Sequence, residues 1–441
     1  MAPQQKPQTE ALGLKARQLA SRLLKAVLHD KKPFDEAFAA WSAKPPFHDI
    51  DYRDRAFARA IATTALRRLG QIEDILGRFL EKPLAAEAFE ARTILIAGTA
   101  QLAFMDVAPH AAIGLAVEQA KGTRGARHLA GLINAVLRRV SENKAAIVAG
   151  QDAARLNTPA WLWRRWVRHY GEKTAGEIAA AHLQEPSLDL SVKADAEAWA
   201  ARLSGSILPW GSVRLSGKGR IEDIEGYADG AWWVQDAAAA LPALLLGDVR
   251  GMRVADLCAA PGGKTAQLAA RGAHVAAADI SVSRLRRLQE NLARLDLKAE
   301  TVQANAAEWM PAALFDAALL DAPCSATGTI RRNPDIAYLK SEADIAALAA
   351  VQARLLNYTL SLVKPGGLIV YATCSLEPEE GEAQIQALLA GRRDVSLLPI
   401  VPNELPVPHE AITPAGMLRT LPFHAGGMDG FFAARLRLNP S

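Results

Sequence analysis

Between Arg253 and Thr265 the chain reads Arg-Val-Ala-Asp-Leu-Cys-Ala-Ala-Pro-Gly-Gly-Lys-Thr. A short apolar run, Val254 to Leu257, enters a loop of small residues that opens into the helix-like stretch Thr265–Arg271. Pro261 fixes one backbone angle, while Gly262 and Gly263 let the main chain approach a ligand closely. The amides that open the following helix have no partner within it and point outward. Strand, glycine loop and helix in that order make a ligand cradle. What it holds has to be read from other residues.

From Ala231 onward, short apolar runs alternate with helical stretches. The runs are Val254–Leu257, His274–Ala278, Glu300–Ala304, Phe315–Leu320 and Leu368–Ala372. Between them, Ser283–Leu295 places Leu285, Leu288, Leu292 and Leu295 on one helical face. Ser341–Val363 opens with Ser341-x-x-Asp344, a capping-box-like start. Such alternation predicts a parallel sheet covered by helices on both faces, with ligands at the carboxyl ends of the strands. A loop-rich stretch containing Pro399, Pro406, Pro408 and Pro414 precedes a last strand, Gly430–Leu436.

Upstream, residues 1–10 are polar and proline-containing and read as a loose tail. From Leu12 to Val140 the pattern is helical: Leu19, Leu23 and Val27 share one face, as do Leu132, Ile133, Val136, Leu137 and Val140. Arg53, Arg55, Arg59, Arg67 and Arg68 make either a basic surface or an ordinary solvated face. In the stretch that follows, Trp161, Trp163 and Trp166 lie among arginines. Such a mixture can stack bases, but the i,i+3 spacing of Trp163 and Trp166 favours packing. After Pro186 the chain turns strand-like at Leu188–Val192, Ile207 and Val213–Leu215. At 441 residues, several domains are expected. The fold class is therefore multidomain: an all-α region over 1–145, a small α/β connecting subdomain over 146–235, and an α/β Rossmann-like domain over 236–441.

With 50% hydrophobic and 22% charged residues, the chain has material for several cores and reads as globular. A net charge of +4 is compatible with a nucleic-acid partner without establishing one. Three cysteines, Cys258, Cys324 and Cys374, argue against a disulfide framework and for a reducing compartment. Their spacing does not suit zinc, and no metal is expected. Neither a signal core nor a membrane-length apolar run is present, so a cytoplasmic protein with no membrane partner is expected.

Pro-Gly-Gly-Lys-Thr invites comparison with a P-loop, but the position of that motif's first glycine is held by Cys258. The dinucleotide fingerprint Gly-x-Gly-x-x-Gly is also absent. Asp279 ends the second apolar run, 23 residues after Asp256, where doubly wound folds set an acid against ribose hydroxyls. Loop and acid together suit any ribose-bearing cofactor, although a helix-capping aspartate has the same spacing. Two cysteines then follow, each at a strand's carboxyl end: Cys324 in Asp321-Ala-Pro-Cys-Ser and Cys374 in Ala372-Thr-Cys-Ser. Buried cysteines commonly just pack. Two at the same topological edge, one close to an aspartate, suggest a ligand crevice. Arg331 and Arg332 could supply the positive charge that a reactive thiolate needs.

Taken together, Asp-Leu-Cys-Ala-Ala-Pro-Gly-Gly-Lys-Thr, Asp-Ala-Pro-Cys-Ser-Ala-Thr-Gly, Tyr-Ala-Thr-Cys-Ser-Leu-Glu-Pro-Glu-Glu and Gly427-Met-Asp-Gly-Phe-Phe-Ala-Ala-Arg435 resemble the signature of the RsmB/NOP/NSUN group of RNA cytosine-5 methyltransferases. The helical region, notably Asn134-Ala-Val-Leu-Arg-Arg139, resembles the NusB-like domain of the RsmB (Fmu) branch. This resemblance implies a class I methyltransferase domain, S-adenosylmethionine as cofactor, and RNA, ribosomal above all, as partner. The NusB-like domain would help bind that RNA, and a monomer is the expected state. Cys258, Ala259, Ala260, Pro261, Gly262, Gly263 and Lys264 would line the cofactor, with Asp279 at its ribose and Asp321 nearby. Asn305 stands where the family usually carries an aspartate near the adenine. By the same analogy Cys374 is the nucleophile and Cys324 assists proton removal or product release. Asp321 holds the cytosine edge, Lys264 orients the base or the nucleophile, and Cys258 is structural.

Three rivals share parts of this pattern. DNA cytosine methyltransferases use the Pro-Cys thiol, which would exchange the roles of Cys324 and Cys374. A transfer-RNA methyltransferase would carry every catalytic residue and differ in its N-terminal domain. A non-catalytic RNA-binding or assembly factor would keep the fold but has no need of both cysteines and Asp321.

Overall fold

The computed structural model describes residues 7–440 apart from Ala86, Lys218 and Pro402, and only the backbone of residues 7–12. The tail expected over residues 1–10 thus lies outside the described residues as far as Lys6, and a helix begins at Pro7. The chain forms two compact units. One runs to Gln184 and includes Ile330–Ser341; the other comprises Glu185–Thr329 and Glu342–Ser441.

The first unit is helical, as its 3.6-residue periodicity predicts. Leu19, Leu23 and Val27 of the helix Pro7–Leu28 share a buried core with Ile61 and Leu66 of Tyr52–Arg67 and with Ile133, Val136, Leu137 and Val140 of Ala130–Ala149. The helix Phe89–Phe104 is buried along nearly its whole length, from Ala91 to Leu102, as an all-round apolar helix must be. Each fully buried Leu or Ile here contributes about 1.5–3 kcal/mol. The helices Ala160–Tyr170 and Glu172–His182 belong to this unit too, so the stretch 146–235 is divided between the units at Gln184. Trp166 is buried with its ring 5.3 Å from that of His182, while half-buried Trp163 lies under Arg155.

Ile330–Ser341 completes the unit through specific bonds. The helix Phe34–Ser42 starts after Pro33 and has no side-chain cap of its own; Asp335 supplies one, its Oδ2 accepting from the Phe34 amide at 2.9 Å. Tyr338 donates its hydroxyl to the Leu66 carbonyl at 3.0 Å, and Arg67 donates to the Arg331 carbonyl at 3.0 Å. Arg68 donates to the Leu183 carbonyl at 3.3 Å, and Arg59 pairs with Asp35 at 2.7 Å. Of the arginines considered as a basic surface, Arg67 and Arg68 therefore tie the helices together.

The second unit contains two sheets. β1 (Leu188–Val192), β2 (Ser206–Ile207), β3 (Val213–Leu215) and β4 (Trp232–Val234) form an antiparallel sheet ordered β2-β3-β1-β4. The larger sheet contains β5 (Arg253–Leu257), β6 (His274–Asp279), β7 (Glu300–Gln303), β8 (Phe315–Asp321), β9 (Val363–Thr373), β10 (Val395–Leu397), β11 (Leu418–Thr420) and β12 (Phe431–Leu438). Its order is β10-β12-β9-β8-β5-β6-β7, with β11 also paired to β12. β5 to β9 are parallel, as the alternation predicts, whereas β12 is antiparallel to β9 and carries β10 and β11 antiparallel to itself. Side chains alternate across the sheet. Val254, Leu319 and Val370 enter one core, while Ala255, Leu257, Leu320, Ile369 and Tyr371 enter another. Leu355, Leu356 and Leu360 of the helix Glu342–Ser361 close the second core. Leu285, Leu288 and Leu292 of Val282–Arg294 pack with Trp233 and Ala277.

The order places β8 beside β5 on the side opposite β6. Connections from these two neighbours leave in opposite directions, which opens a crevice above their carboxyl ends.

Candidate active site

β5 ends at Leu257, and its loop enters the helix Gly263–Ala270. Cys258 has φ 59° and Gly262 φ 102°, both in the left-handed region that only glycine reaches freely. At Gly262 a Cβ would also lie 2.7 Å from Leu288 Cγ, so a side chain is excluded by space as well as by conformation. Ala259 and Ala260 are buried against the same packing cluster as Leu288. Burial, reinforced by the carboxylates of Asp321, Asp279 and Asp256, pushes the Cys258 thiol up to about 12. The Cys258 thiol thus stays protonated, packed partly buried against the sheet.

Three polar side chains stand on β5, β6 and the end of β7 at this edge. Asp279 ends β6 almost fully buried. Its Oδ2 accepts from the Ala260 amide at 3.2 Å and its Oδ1 from the Ser281 amide at 2.9 Å, while Arg284 lies 3.4 Å away. Each carboxylate oxygen has two lone pairs, so Asp279 braces the loop and keeps capacity for hydroxyl donors. Asn305 follows β7, and its Oδ1 accepts from the Ala307 amide at 3.1 Å. That bond leaves its amide NH2 and the second lone pair of Oδ1 unused. The third side chain is Asp256, in β5. Its Oδ2 accepts from Thr265 Oγ1 at 2.6 Å; Oδ1, fully buried, has no partner among the described residues. Burial pushes this carboxyl up to about 7. A carboxyl oxygen without a partner in the interior favours the protonated form. The available signal was a charged residue inside the apolar run Val254–Leu257.

β8 ends at Asp321 and β9 at Thr373, paired in a register that sets Asp321 opposite Ala372. Cys324 and Cys374, 50 residues apart in sequence, consequently rise side by side with their sulfurs 3.4 Å apart. The hydrogen-bonded Cys374 sulfur, burial, and the charges of Cys374 and Glu380 push the Cys324 thiol well above its ordinary value. Cys324 therefore keeps its proton firmly. Lys264 reaches in from the first turn of the loop helix and donates from Nζ to Asp321 Oδ2 at 2.7 Å. Burial works against its charge, but Asp321, Asp256 and Cys374 outweigh burial and raise its pKa. The ammonium also stands 5.0 Å from the centre of the Phe431 ring. Arg331 and Arg332, which could supply such positive charge, fall in the first unit; within the second unit Lys264 sets a cation in the field of Cys374.

The loop after Cys324 is locked to the start of β12. The Gly430 amide donates to the Gly328 carbonyl at 2.8 Å, and a Cβ on Gly328 would lie 1.9 Å from the Gly430 carbonyl oxygen. The chain thus gathers Cys258–Lys264, Asp279, Asn305, Asp321, Cys324 and Cys374 at the carboxyl edge of one sheet. Among the described residues no three His, Cys, Asp or Glu side chains gather as a metal site requires, and no described helix is long and apolar enough to cross a membrane.

Comparison with known proteins agrees with this arrangement. Residues 243–437 match the family described as 16S rRNA methyltransferase RsmB/F, and residues 14–142 match the NusB family. The ribosomal RNA small subunit methyltransferase B of Klebsiella pneumoniae is 36% identical over 411 residues, 89% of this chain and 92% of that protein. The protein of the same name from Vibrio cholerae is 36% identical over 401 residues, 87% and 89% of the two chains. The solved structure of PH0851 superposes with a TM-score of 0.76 over 95% of this chain and 98% of that one; at 22% identity it speaks for the fold. The chain therefore belongs to the RsmB/F family of 16S rRNA methyltransferases, enzymes that act on RNA with S-adenosylmethionine as cofactor, and carries a NusB-family helical region ahead of its methyltransferase fold.

Proposed function

We propose that this enzyme methylates C5 of a cytosine in 16S ribosomal RNA through a transient bond between Cys374 and C6 of the base. The observation that carries the reading is the thiol pair, 3.4 Å apart, with Cys324 held protonated beside Cys374 at the edge that also presents the glycine loop. The loop fits S-adenosylmethionine. Gly262, at φ 102°, turns the main chain into the helix whose first amides face outward, and Asp279 retains lone pairs for ribose hydroxyls. Cys258 to Lys264 would line the cofactor, with Asn305 toward the adenine and Asp321 toward the reacting end. When bound, it supplies an electrophilic methyl group.

The protein's part is to make C5 nucleophilic. Cytosine C5 is a poor nucleophile until a thiolate adds at C6 and leaves C5 enamine-like, which splits one difficult step into easier ones. Cys374 would add, with the Cys324 sulfur 3.4 Å from its own. Asp321, held by Lys264 at 2.7 Å, would accept hydrogen bonds from the cytosine edge and stabilise the adduct. After C5 is methylated, its proton must leave and the C6–sulfur bond must break; Cys324 is close enough to assist either event. The opposite assignment, with Cys324 as nucleophile, would demand ionisation of the thiol that its surroundings hold protonated.

The small-subunit rRNA named for the relatives supports that RNA as substrate. The NusB-family region supports RNA binding by the helical unit. We place the enzyme in the cytoplasm as a monomer. Labelled S-adenosylmethionine and 16S rRNA from cells lacking this gene provide the test. One cytosine should gain label and become resistant to bisulfite conversion. Label in transfer RNA alone would favour that substrate, and label in no RNA would overturn the proposal.

A further inference from the structure

Each of the paired thiols is followed by a serine, and both serines turn toward one buried group. Ser325 and Ser375 are completely buried, with their Oγ atoms 3.1 Å apart. Both hydroxyls donate to Oε2 of Glu380, Ser375 at 2.5 Å. Oε1 of the same carboxylate accepts from the Ser325 amide at 2.8 Å and from Gln352 Nε2 at 3.0 Å. Gln352 also donates to the carbonyl of Pro323, the residue before Cys324, at 2.9 Å. Four donors thus fill the acceptor places a carboxylate has.

Glu380 is itself completely buried, and it makes no ion pair among the described residues. A buried carboxylate is unfavourable unless hydrogen bonds replace its water, and these four bonds do so. The geometry obtained in return is specific. Glu380 is tied to the strand that carries Cys374, because its carbonyl accepts from the Tyr371 hydroxyl at 2.8 Å and from Thr373 Oγ1 at 3.2 Å. Its carboxylate reaches across to the Cys324 loop. The β8–β9 ladder has already ended at this level, and the main-chain bonds between the loops are those from Ala322 to Ala372 at 2.9 Å and from Gly328 to Cys374 at 3.1 Å. Between them, the loops are joined through side chains.

We propose that Glu380 is a positioning residue, a clamp that sets the separation of the two thiols by holding Ser325 and Ser375 on one carboxylate. The proposal rests on the two-thiol reading given above. Cys374 must reach C6 of the base while Cys324 stays within a hydrogen bond of it, and a misplacement of about 1 Å can slow a reaction about a hundredfold. The charge has a further effect: it helps keep Cys324 protonated.

The test uses the full-length protein and four variants. Glu380→Ala removes the clamp. Glu380→Gln keeps it, because the amide oxygen can meet the Ser325 amide and Gln352 while its NH2 donates to hydroxyls that rotate to accept. Ser325→Ala and Ser375→Ala each release one loop. Single-turnover methyl transfer should slow about a hundredfold in Glu380→Ala. Formation of the covalent complex with 5-fluorocytosine RNA should slow in parallel, with S-adenosylmethionine affinity unchanged in calorimetry. Glu380→Gln should recover most of the rate. A Glu380→Ala protein that binds cofactor and transfers methyl at the unmutated rate overturns the clamp, and so does a Glu380→Gln protein as slow as Glu380→Ala. If Glu380→Ala does not fold, the serine variants decide, and unmutated rates in both overturn it. An active Cys374→Ala enzyme would instead sink the two-thiol reading. An inactive Cys374→Ala beside a fully active Glu380→Ala would sink the clamp alone.

Discussion

Lys264 is buried with its ammonium 2.7 Å from Asp321 and in the field of Asp256 and Cys374, so its removal leaves two carboxyls and a thiol pair without their cation. Lys264→Met keeps the length of the side chain and discards the charge. It should lower kcat by about 10²- to 10³-fold, the usual loss when one preorganised electrostatic group is removed. Steady-state methylation kinetics would show this as a fall in kcat larger than any rise in KM for RNA. Asp256 gives a pH signature of its own. Its carboxyl is pushed from 3.8 to about 7 in the folded chain, so between those values the native state holds a proton that the unfolded chain has released. Stability of the second unit should then fall as pH rises through that window. Asp256→Asn should flatten the dependence, as followed by urea midpoints of that unit. An unchanged slope would mean that Asp256 titrates normally. The thiols, Asp321 and Lys264 were legible in the sequence because each sits in a short motif beside a strand end. Asp256 and Glu380 were not. One hides in an apolar run and the other among Glu377, Glu379 and Glu382, and only the bonds from Ser325 and Ser375 to its carboxylate set Glu380 apart from them.

At the level of elements, the crossing of the Cys324 loop with the start of β12 is the tightest backbone approach near the thiols. Gly328→Ala would put a methyl group 1.9 Å from the Gly430 carbonyl oxygen, with backbone on both sides. We expect a loss of about 1–3 kcal/mol, typical of overpacking. Thermal unfolding would report it, together with a loss of methyl transfer. The parallel strands were legible because each is a short apolar run that recurs between amphipathic helices. β7 ends one residue earlier than read and β9 begins five earlier, at Val363, where the run Val363-Lys-Pro-Gly-Gly367 looks like a turn. The direction of β12 was not legible. An apolar run is the same whether its neighbour runs parallel or antiparallel. β10 and β11, of three residues each, are too short to show a period.

For the molecule as a whole, the division into units does not follow the order of the chain. Ile330–Ser341 leaves the second unit just after Thr329 and serves as part of the first, where Asp335 caps a helix and Tyr338 bonds to Leu66. No local pattern announces this, because its partners lie some three hundred residues away in sequence, as with Phe34 and Asp335, 301 apart. The helical character of the first unit was plain from Leu19, Leu23 and Val27 onward, since a buried helical face must repeat. In that unit, burial, with the cations Arg331 and Arg67, lowers His182 from 6.5 to about 3. The folded unit then holds fewer protons than the unfolded chain between those values. Its stability is full above 6.5 and is lost as pH falls toward 3, the opposite sign to that of Asp256. Hydrogen exchange read unit by unit should show the first unit weakening on acidification through this range while the second does not. His182→Leu should remove most of that sensitivity.

The central claim is that Cys374 forms the bond to the base and that Cys324 serves it. Target RNA carrying 5-fluorocytosine tests it directly, because fluorine at C5 blocks the last proton loss and leaves the protein attached. The account predicts a denaturation-resistant complex with the unmutated enzyme, none with Cys374→Ala, and a retained or accumulated complex with Cys324→Ala on RNA. A complex that survives in Cys374→Ala and vanishes in Cys324→Ala would contradict it.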